Sequence, residues 1–209
     1  MKLFVTANHT GAGKTLVSAI LVEALKADYW KPVQCGNLEK TDSDTVQELI
    51  SNDLSYIFPE RYRLKAPMSP HAAAAKEGVE IKTSDFSLPE TDRPLVIEGA
   101  GGVLVPLNDS DTMLDLIKYT GSSVVFVSRH YLGSINHTLL SLEVLKTHDI
   151  KIAGIIFNGP DSPASEEAVL RRFKFPVLGR IKEEISVDRK TVLNYAKVMC
   201  EPLKRIAAA

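Results

Sequence analysis

The sequence predicts an α/β fold: a three-layer sandwich with helices on both faces of a mostly parallel sheet. Two patterns predict it. Short β-branched runs alternate along the chain with longer stretches of helical period, and strand–helix alternation builds a parallel sheet because each crossover returns the chain to the same edge. The runs Val124 to Val127 and Ile152 to Phe157 are apolar on consecutive residues, as in strands covered by helices on both sides.

The predicted strands are Lys2 to Ala7, Tyr29 to Val33, Pro94 to Ile97, Ser123 to Ser128, Ile150 to Phe157 and Pro176 to Ile181, each a short β-branched or aromatic run. The predicted helices are Lys14 to Ala27, Ser43 to Ile50, Pro70 to Gly78, Asp111 to Tyr119, Ser134 to His148, Ser162 to Phe173 and Ser186 to Arg205. In the helix from Ser134, residues Ile135, Leu139, Leu142 and Leu145 recur at three- and four-residue steps, which predicts one buried stripe against the sheet. Asp53 to Pro94 is broken by Pro59, Pro67, Pro70 and Pro89 and reads as an elaboration, so residues 1–209 are expected to form one domain. Ala207-Ala208-Ala209 is expected to fray.

Composition narrows the function classes. The 209 residues hold 25 Lys plus Arg and 26 Asp plus Glu, a net charge of −1, so no global field draws a polyanion or an anionic membrane. Neither nucleic acid nor a membrane is expected as a partner. A chain of this length buries roughly 70% of its unfolded surface and needs no covalent staple. Its two cysteines, Cys35 and Cys200, are too few for a disulfide framework or a thiolate metal site, which fits a reducing cytosol. Met1-Lys2-Leu3-Phe4-Val5 lacks the apolar region of a signal peptide, and no apolar run approaches the ~20 residues of a spanning helix. A soluble, cytoplasmic protein is expected.

The strongest local signal is Thr6-Ala7-Asn8-His9-Thr10-Gly11-Ala12-Gly13-Lys14-Thr15, between a predicted strand and a predicted helix. Backbone N–H groups at a helix N-terminus lack intrahelical acceptors and bind phosphate oxygens; Lys14 would neutralise the terminal phosphates and Thr15 would ligate Mg²⁺. This makes the expected sandwich P-loop NTPase-like. The usual motif has Gly where Asn8 stands, and Asn tolerates positive φ better than most residues. The plainer alternative is a glycine-bearing turn with a solvated lysine.

Ligands of an open α/β sheet gather beyond the carboxyl ends of its strands, and four such places carry chemistry. Trp30-Lys31-Pro32-Val33-Gln34-Cys35-Gly36 is followed by Thr41-Asp42-Ser43-Asp44-Thr45, which sets a lysine and two acids near the phosphate loop. Lys31 also reads as a solvated cation and Asp42 as a helix N-cap. Glu98-Gly99-Ala100-Gly101-Gly102 places a carboxylate where a second Mg²⁺ ligand belongs, with glycines that let backbone approach a substrate; an incidental acid in a turn is the alternative. Asn158-Gly159 reads equally as a base-contacting amide or a turn. Leu132-Gly133-Ser134-Ile135-Asn136-His137 opens a helix whose free N–H groups suit a carboxylate, or Ser134 is simply its cap.

Together these segments resemble the dethiobiotin synthetases, ATP-dependent enzymes that close the ureido ring of biotin's precursor. The likeness rests on Gly13-Lys14-Thr15, Lys31-Pro32-Val33 with Gly36, Asp42-Ser43-Asp44, Ala66-Pro67 through Ser69-Pro70-His71, Glu98 to Gly102, and Leu132 to His137, and it covers nearly the whole chain. It implies a cyclo-ligase acting on 7,8-diaminopelargonate, CO₂ and ATP, with Mg²⁺, as a homodimer. It further implies that Lys14 and Lys31 are catalytic, with Lys31 reaching the carbamate and γ-phosphate. Thr15, Asp44 and Glu98 would gather Mg²⁺. Thr10 and the backbone of Gly11, Ala12, Gly13, Lys14, Thr15 and Leu16 would face phosphates or substrate, as would Gly99, Ala100 and Gly101. Asn158 with Gly159 would read adenine. Leu132, Gly133, Ser134, Ile135 and Asn136 would grip the substrate carboxylate from the neighbouring subunit.

The chain departs from the family pattern at Ala7, usually Gly, at Cys35, usually a small hydroxyl residue that meets substrate, and at Ile181-Lys182-Glu183-Glu184, where a proline is common. A P-loop switch ATPase of the partitioning or metal-cluster-carrier type is the runner-up. Asn8-His9-Thr10 lacks the extra early lysine of that type, and the chain has no Cys-x-x-Cys pair. A nucleotide-binding module without catalysis would not need Lys14, Thr15, Lys31, Asp44 and Glu98 together.

Overall fold

The computed structural model describes residues 1–207. The chain opens with β1 (Lys2–Ala7) and α1 (Lys14–Leu25), then β2 (Asp28–Trp30), β3 (Val33–Cys35), α2 (Asp42–Leu49), β4 (Ile57–Phe58), β5 (Tyr62–Leu64) and α3 (Pro70–Lys76). A 3₁₀ turn at Thr83–Asp85 leads to β6 (Leu95–Gly102), α4 (Met113–Thr120), β7 (Ser123–Arg129), α5 (Ser134–Thr147), β8 (Ile152–Asn158), α6 (Pro163–Arg172), β9 (Val177–Ile181) and α7 (Arg189–Ala207). The expected fraying of the terminal alanines concerns 208 and 209, outside the described residues, while Ala207 closes α7.

The main sheet has seven strands in the order β4-β2-β6-β1-β7-β8-β9, all paired in parallel. Alternate residues point to opposite faces, so consecutive apolar residues feed two cores. Val124 and Phe126 join Phe4, Ile97, Leu116, Leu142 and Val169 on one face. Val125 and Val127 join Leu3, Val5, Val17, Ile20, Leu21, Val192 and Met199 on the other. Among the described residues no helix is long and apolar enough to cross a membrane.

Three sequence expectations need correction. The strand expected at Tyr29 to Val33 is two strands in two sheets: β2 lies in the main sheet, whereas β3 pairs with β5 in a separate two-stranded sheet. Pro32 divides them, because it has no N–H to continue the ladder; its carbonyl instead accepts from the N–H groups of Arg61 and Tyr62. The stretch read as an elaboration thus supplies β4 to the edge of the main sheet and β5 to the small one. Thirdly, the stripe expected on α5 is displaced: Ser134, Thr138, Leu142 and Leu145 are its buried residues, Leu139 is partly buried and Ile135 is exposed. Thr138 belongs to it because its hydroxyl bonds Ser128 of β7 and the side chain of Asn8.

Two strand glycines separate backbone from side-chain crowding. A methyl at Gly154 would lie 2.6 Å from Cγ of Leu178 and 2.7 Å from the carbonyl oxygen of Pro176, whereas one at Gly179 would meet the thioether end of Met199, which can swing aside. Gly154→Ala is expected to cost about 1–3 kcal/mol and Gly179→Ala clearly less. Urea unfolding of the two variants measures both.

Candidate active site

The phosphate loop runs from Asn8 to Gly13, between β1 and α1. Asn8 does not take the positive φ expected of it; Gly11 and Gly13 do, at 77° and 91°. Asn8 is instead a tie. Its Nδ2 donates to the Arg129 carbonyl at 3.0 Å and to Thr138 Oγ1 at 3.2 Å, and its Oδ1 accepts from the Arg129 N–H at 3.3 Å. Beneath the loop, Asn158 Nδ2 donates to the Ala12 carbonyl at 2.7 Å, and a Cβ at Gly13 would collide with that amide. Gly13 is the N-cap of α1 and no side chain caps the helix, which leaves its first N–H groups facing the loop.

Beside the loop lies a triangle of charge. β2 and β6 are neighbours with Trp30 in register with Ile97, so the next residues, Lys31 and Glu98, meet at the strand ends. Lys31 Nζ is 2.9 Å from Glu98 Oε1 and 2.5 Å from Asp42 Oδ2. Thr15 Oγ1 donates to the same Glu98 Oε1 at 3.0 Å, and Asp42 lines the cleft beside it. Tyr29 donates to Glu98 Oε2 at 2.9 Å. Asp42 comes into place because Thr41 caps α2 and Gln34 Oε1 accepts from the Asp42 N–H at 3.3 Å.

Lys31, Asp42, Lys14, Cys35 and Tyr29 bear the mark of this setting. Burial opposes the Lys31 charge, but Glu98 and Asp42 outweigh it and hold the ammonium above its ordinary pKa. Burial likewise opposes the Asp42 charge, and Lys31 overcomes it, so that carboxyl titrates below its usual range. At Lys14 the balance reverses: burial, then repulsion from Lys31, outweigh the pull of Glu98 and Asp42 and lower it to about 8. A buried lysine so perturbed, in a cleft, marks a functional-site candidate. Burial pushes the Cys35 thiol up to about 11 and raises Tyr29 well above its usual value.

Thr10, Gly11, Gly13, Lys14, Thr15, Lys31, Cys35, Glu98, Ala100 and Gly101 line one cleft of about 650 Å³. Its far wall is Val33, Pro67, Met68, Pro70 and Val105, supplied by the small sheet, the start of α3 and the turn after β6. Asp44 does not belong to the cleft. It is exposed, and its carboxylate accepts from the N–H and hydroxyl of Thr41 at 2.8 and 2.9 Å, closing a capping box. The acid facing Lys31 and Thr15 is Asp42, the residue that also read as a cap. Gly99 does not line the cleft, but its carbonyl accepts from Lys31 Nζ at 3.4 Å; a Cβ there would lie 2.7 Å from the Phe4 ring, so its small size serves packing. Ala12 is buried under the loop, Leu16 packs inward, and Asn158 with Gly159 lies behind the loop. Leu132 to Asn136 lead from β7 into α5, with Gly133 and not Ser134 as N-cap, just after Tyr131, whose ring meets His9 of the loop edge-on at 4.6 Å. Sequence reasoning missed Tyr29 and Gln34; the one visible signal was a polar group in an otherwise apolar, buried stretch.

The donor set has the chemistry of a Mg²⁺ site. Among the described residues no cluster of three or more His, Cys, Asp or Glu is placed for a metal. Mg²⁺ held jointly with nucleotide phosphates needs only one or two carboxylates and hard oxygen donors, and Thr15, Asp42 and Glu98 converge as such a set.

Residues 1–191 match a family described as an AAA domain. An ATP-dependent dethiobiotin synthetase from Cytophaga hutchinsonii is 52% identical over 93% of this chain and 95% of its own length. Another, from Christiangramia forsetii, is 50% identical over 95% of this chain and 97% of its own. The chain belongs to the dethiobiotin synthetase family. Among solved structures, the cell division ATPase MinD of Pyrococcus furiosus has a TM-score of 0.59 at 15% identity, covering 98% of this chain and 99% of its own. The septum site-determining protein MinD of Pyrococcus horikoshii, complexed with Mg-ADP, has 0.58 at 17%, covering 99% and 93%. These likenesses speak to the fold alone, which is the P-loop NTPase-like sandwich expected.

In this dethiobiotin synthetase family member, Lys182 to Glu184 are tied without the family's common proline. The Lys182 N–H donates to the Tyr195 hydroxyl at 3.1 Å, that hydroxyl donates to Glu184 Oε1 at 2.5 Å, and Arg129 pairs with Glu183 at 2.8 Å. The two aspartates of α2 are separable by experiment. Asp44→Ala is expected to cost about 0.5–1 kcal/mol through the lost cap and to leave turnover near normal. Asp42→Ala is expected to remove most turnover. Chemical denaturation and steady-state kinetics on both variants decide between the two acids.

Proposed function

We propose that the chain is a cytoplasmic, ATP-dependent dethiobiotin synthetase that uses Mg²⁺ and closes the ureido ring on 7,8-diaminopelargonate with CO₂. What carries this reading is one convergence. The phosphate loop, Lys31 and two hard carboxylates share a cleft in a chain about half identical to proteins of that name.

In the proposed reaction one substrate amine attacks CO₂, forms a C–N bond and loses a proton to give the carbamate. A carbamate oxygen takes the γ-phosphoryl group and ADP leaves. The second amine then attacks the carbonyl carbon, the ring C–N bond forms, the C–O bond to phosphate breaks, and the amine gives up a proton as phosphate leaves. Carbamate, triphosphate and phosphoryl group are all anionic, so the protein's part is charge compensation and alignment. Lys14 and the first N–H groups of α1 meet the phosphates. Lys31 turns from its carboxylates to the carbamate and γ-phosphate. Thr15, Asp42 and Glu98 would hold the Mg²⁺, which supplies further neutralisation of phosphate charge. The apolar wall at Val33, Met68 and Val105 suits an aliphatic substrate.

Asn158 and Gly159, behind the loop, are proposed to meet adenine. A homodimer is proposed, with Leu132 to Asn136 serving the substrate carboxylate of the neighbouring subunit. The exposure of Tyr131, Leu132 and Ile135 at the start of α5 supports an apolar contact there.

Incubation with 7,8-diaminopelargonate, bicarbonate, Mg²⁺ and ATP should yield dethiobiotin by mass spectrometry; ATP hydrolysis with no cyclised product would sink the reading. Lys31 variants refine it. Lys31→Ala is expected to abolish turnover and also to lower stability by about 3–5 kcal/mol, because Glu98 would be left buried without its cation. Lys31→Arg keeps a cation but not a compact ammonium, so it should retain most of that stability and still lose turnover by about a hundredfold or more. Near-normal activity in Lys31→Arg would remove the proposed role.

A further inference from the structure

Glu98 is 1% exposed, and its two oxygens have different lives. Oε1 is turned to the cleft, where it accepts from Thr15 Oγ1 at 3.0 Å and from Lys31 Nζ at 2.9 Å. Oε2 accepts from the hydroxyl of Tyr29 at 2.9 Å. Tyr29 stands on β2 in register with Val96, on the face of the sheet that Glu98 shares, and its hydroxyl reaches forward to the carboxylate. The phenol is wholly buried, in the core packed between the sheet and α1, α2 and α7. Ring packing therefore holds the hydroxyl, and the hydroxyl holds Oε2 out of the cleft.

We propose that Tyr29 is a positioning residue that restricts Glu98 to a single cleft-facing oxygen and thereby favours Mg²⁺ over Ca²⁺. The inference rests on the reading of Thr15, Asp42 and Glu98 as the cation's ligands. Mg²⁺ is small and demands near-octahedral geometry, which single carboxylate oxygens satisfy. Ca²⁺ takes more oxygens and accepts both from one carboxylate. A Glu98 that cannot turn Oε2 inward offers the larger ion one ligand fewer. Outer partners of this kind govern metal affinity by orienting the ligand, with no contact to the ion itself.

The test is Tyr29→Phe, which keeps the ring and removes the hydroxyl. Affinities for Mg²⁺ and Ca²⁺ are measured by competition against Mn²⁺, read by electron paramagnetic resonance, with a non-hydrolysable ATP analogue present. Mg²⁺ affinity is expected to fall roughly tenfold while Ca²⁺ affinity holds or rises. Equal losses for both ions, or no change in either, overturn the assignment, since a merely structural role would not alter their ratio. A wild-type chain that binds neither ion overturns the cation reading itself, a separate failure. Should the variant not fold, wild-type chain labelled with 3-fluorotyrosine answers by ¹⁹F NMR. The tyrosine resonance that Mn²⁺ broadens most should move on addition of Ca²⁺ and stay with Mg²⁺. Identical responses to the two ions overturn the proposal.

Discussion

The site is organised by the ammonium of Lys31, held between the carboxylates of Glu98 and Asp42. Taking such charges out of water costs several kcal/mol per ion, which is recovered only when the partners are well placed. Each partner comes from a different part of the chain, so the fold must satisfy several conditions at once. β2 must lie beside β6 to bring Glu98. α2 must begin at Thr41, with Gln34 braced against its first turn, to bring Asp42. Glu98 must keep its outer oxygen on Tyr29. Lys14, close by and without a carboxylate of its own, has its pKa lowered by burial first and by repulsion from Lys31 second.

A second constraint shapes the phosphate loop. A loop that cradles an anion cannot use its own N–H groups for internal bonds, so other parts of the chain must hold it. Two asparagines do this. Asn8 ties the loop's entry to the end of β7 and to α5, and Asn158 ties its crest to the end of β8. The ties through Arg129 and Asn158 run to the carboxyl ends of β7 and β8, so the loop takes its shape from strands of the same sheet that carries the rest of the site.

The fold was legible because its signal is repetitive: consecutive apolar residues at Val124 to Val127 leave few alternatives to a buried parallel strand. The break at Pro32 was legible in kind, since proline ends ladders, but its destination was not, because pairing with Tyr62–Leu64 is a long-range event. Within the site, the strand-end rule located Lys31 and Glu98, and their contact follows from register. Asp42 and Asp44 could not be told apart from composition; both precede an apolar run, and only the position of the cap at Thr41 decides which carboxylate turns inward. Ile135 misled for a related reason. Helical periodicity locates an apolar face, but on α5, capped at Gly133, Thr138 is buried through its hydrogen bonds to Ser128 and Asn8, and Ser134 is buried with it.

The departure of the chain from the main sheet at Pro32 also bears on how the sequence can vary. Between Trp30 and Val33 the path is committed at both ends, to β6 on one side and to β5 on the other. One residue more or less would turn Lys31 to the wrong face. Between Gly36 and Thr41 the chain is a loop whose closure cost grows only slowly with length. Insertions should therefore be tolerated there and excluded a few residues earlier, so that adjacent stretches of one cleft wall evolve under very different limits on length.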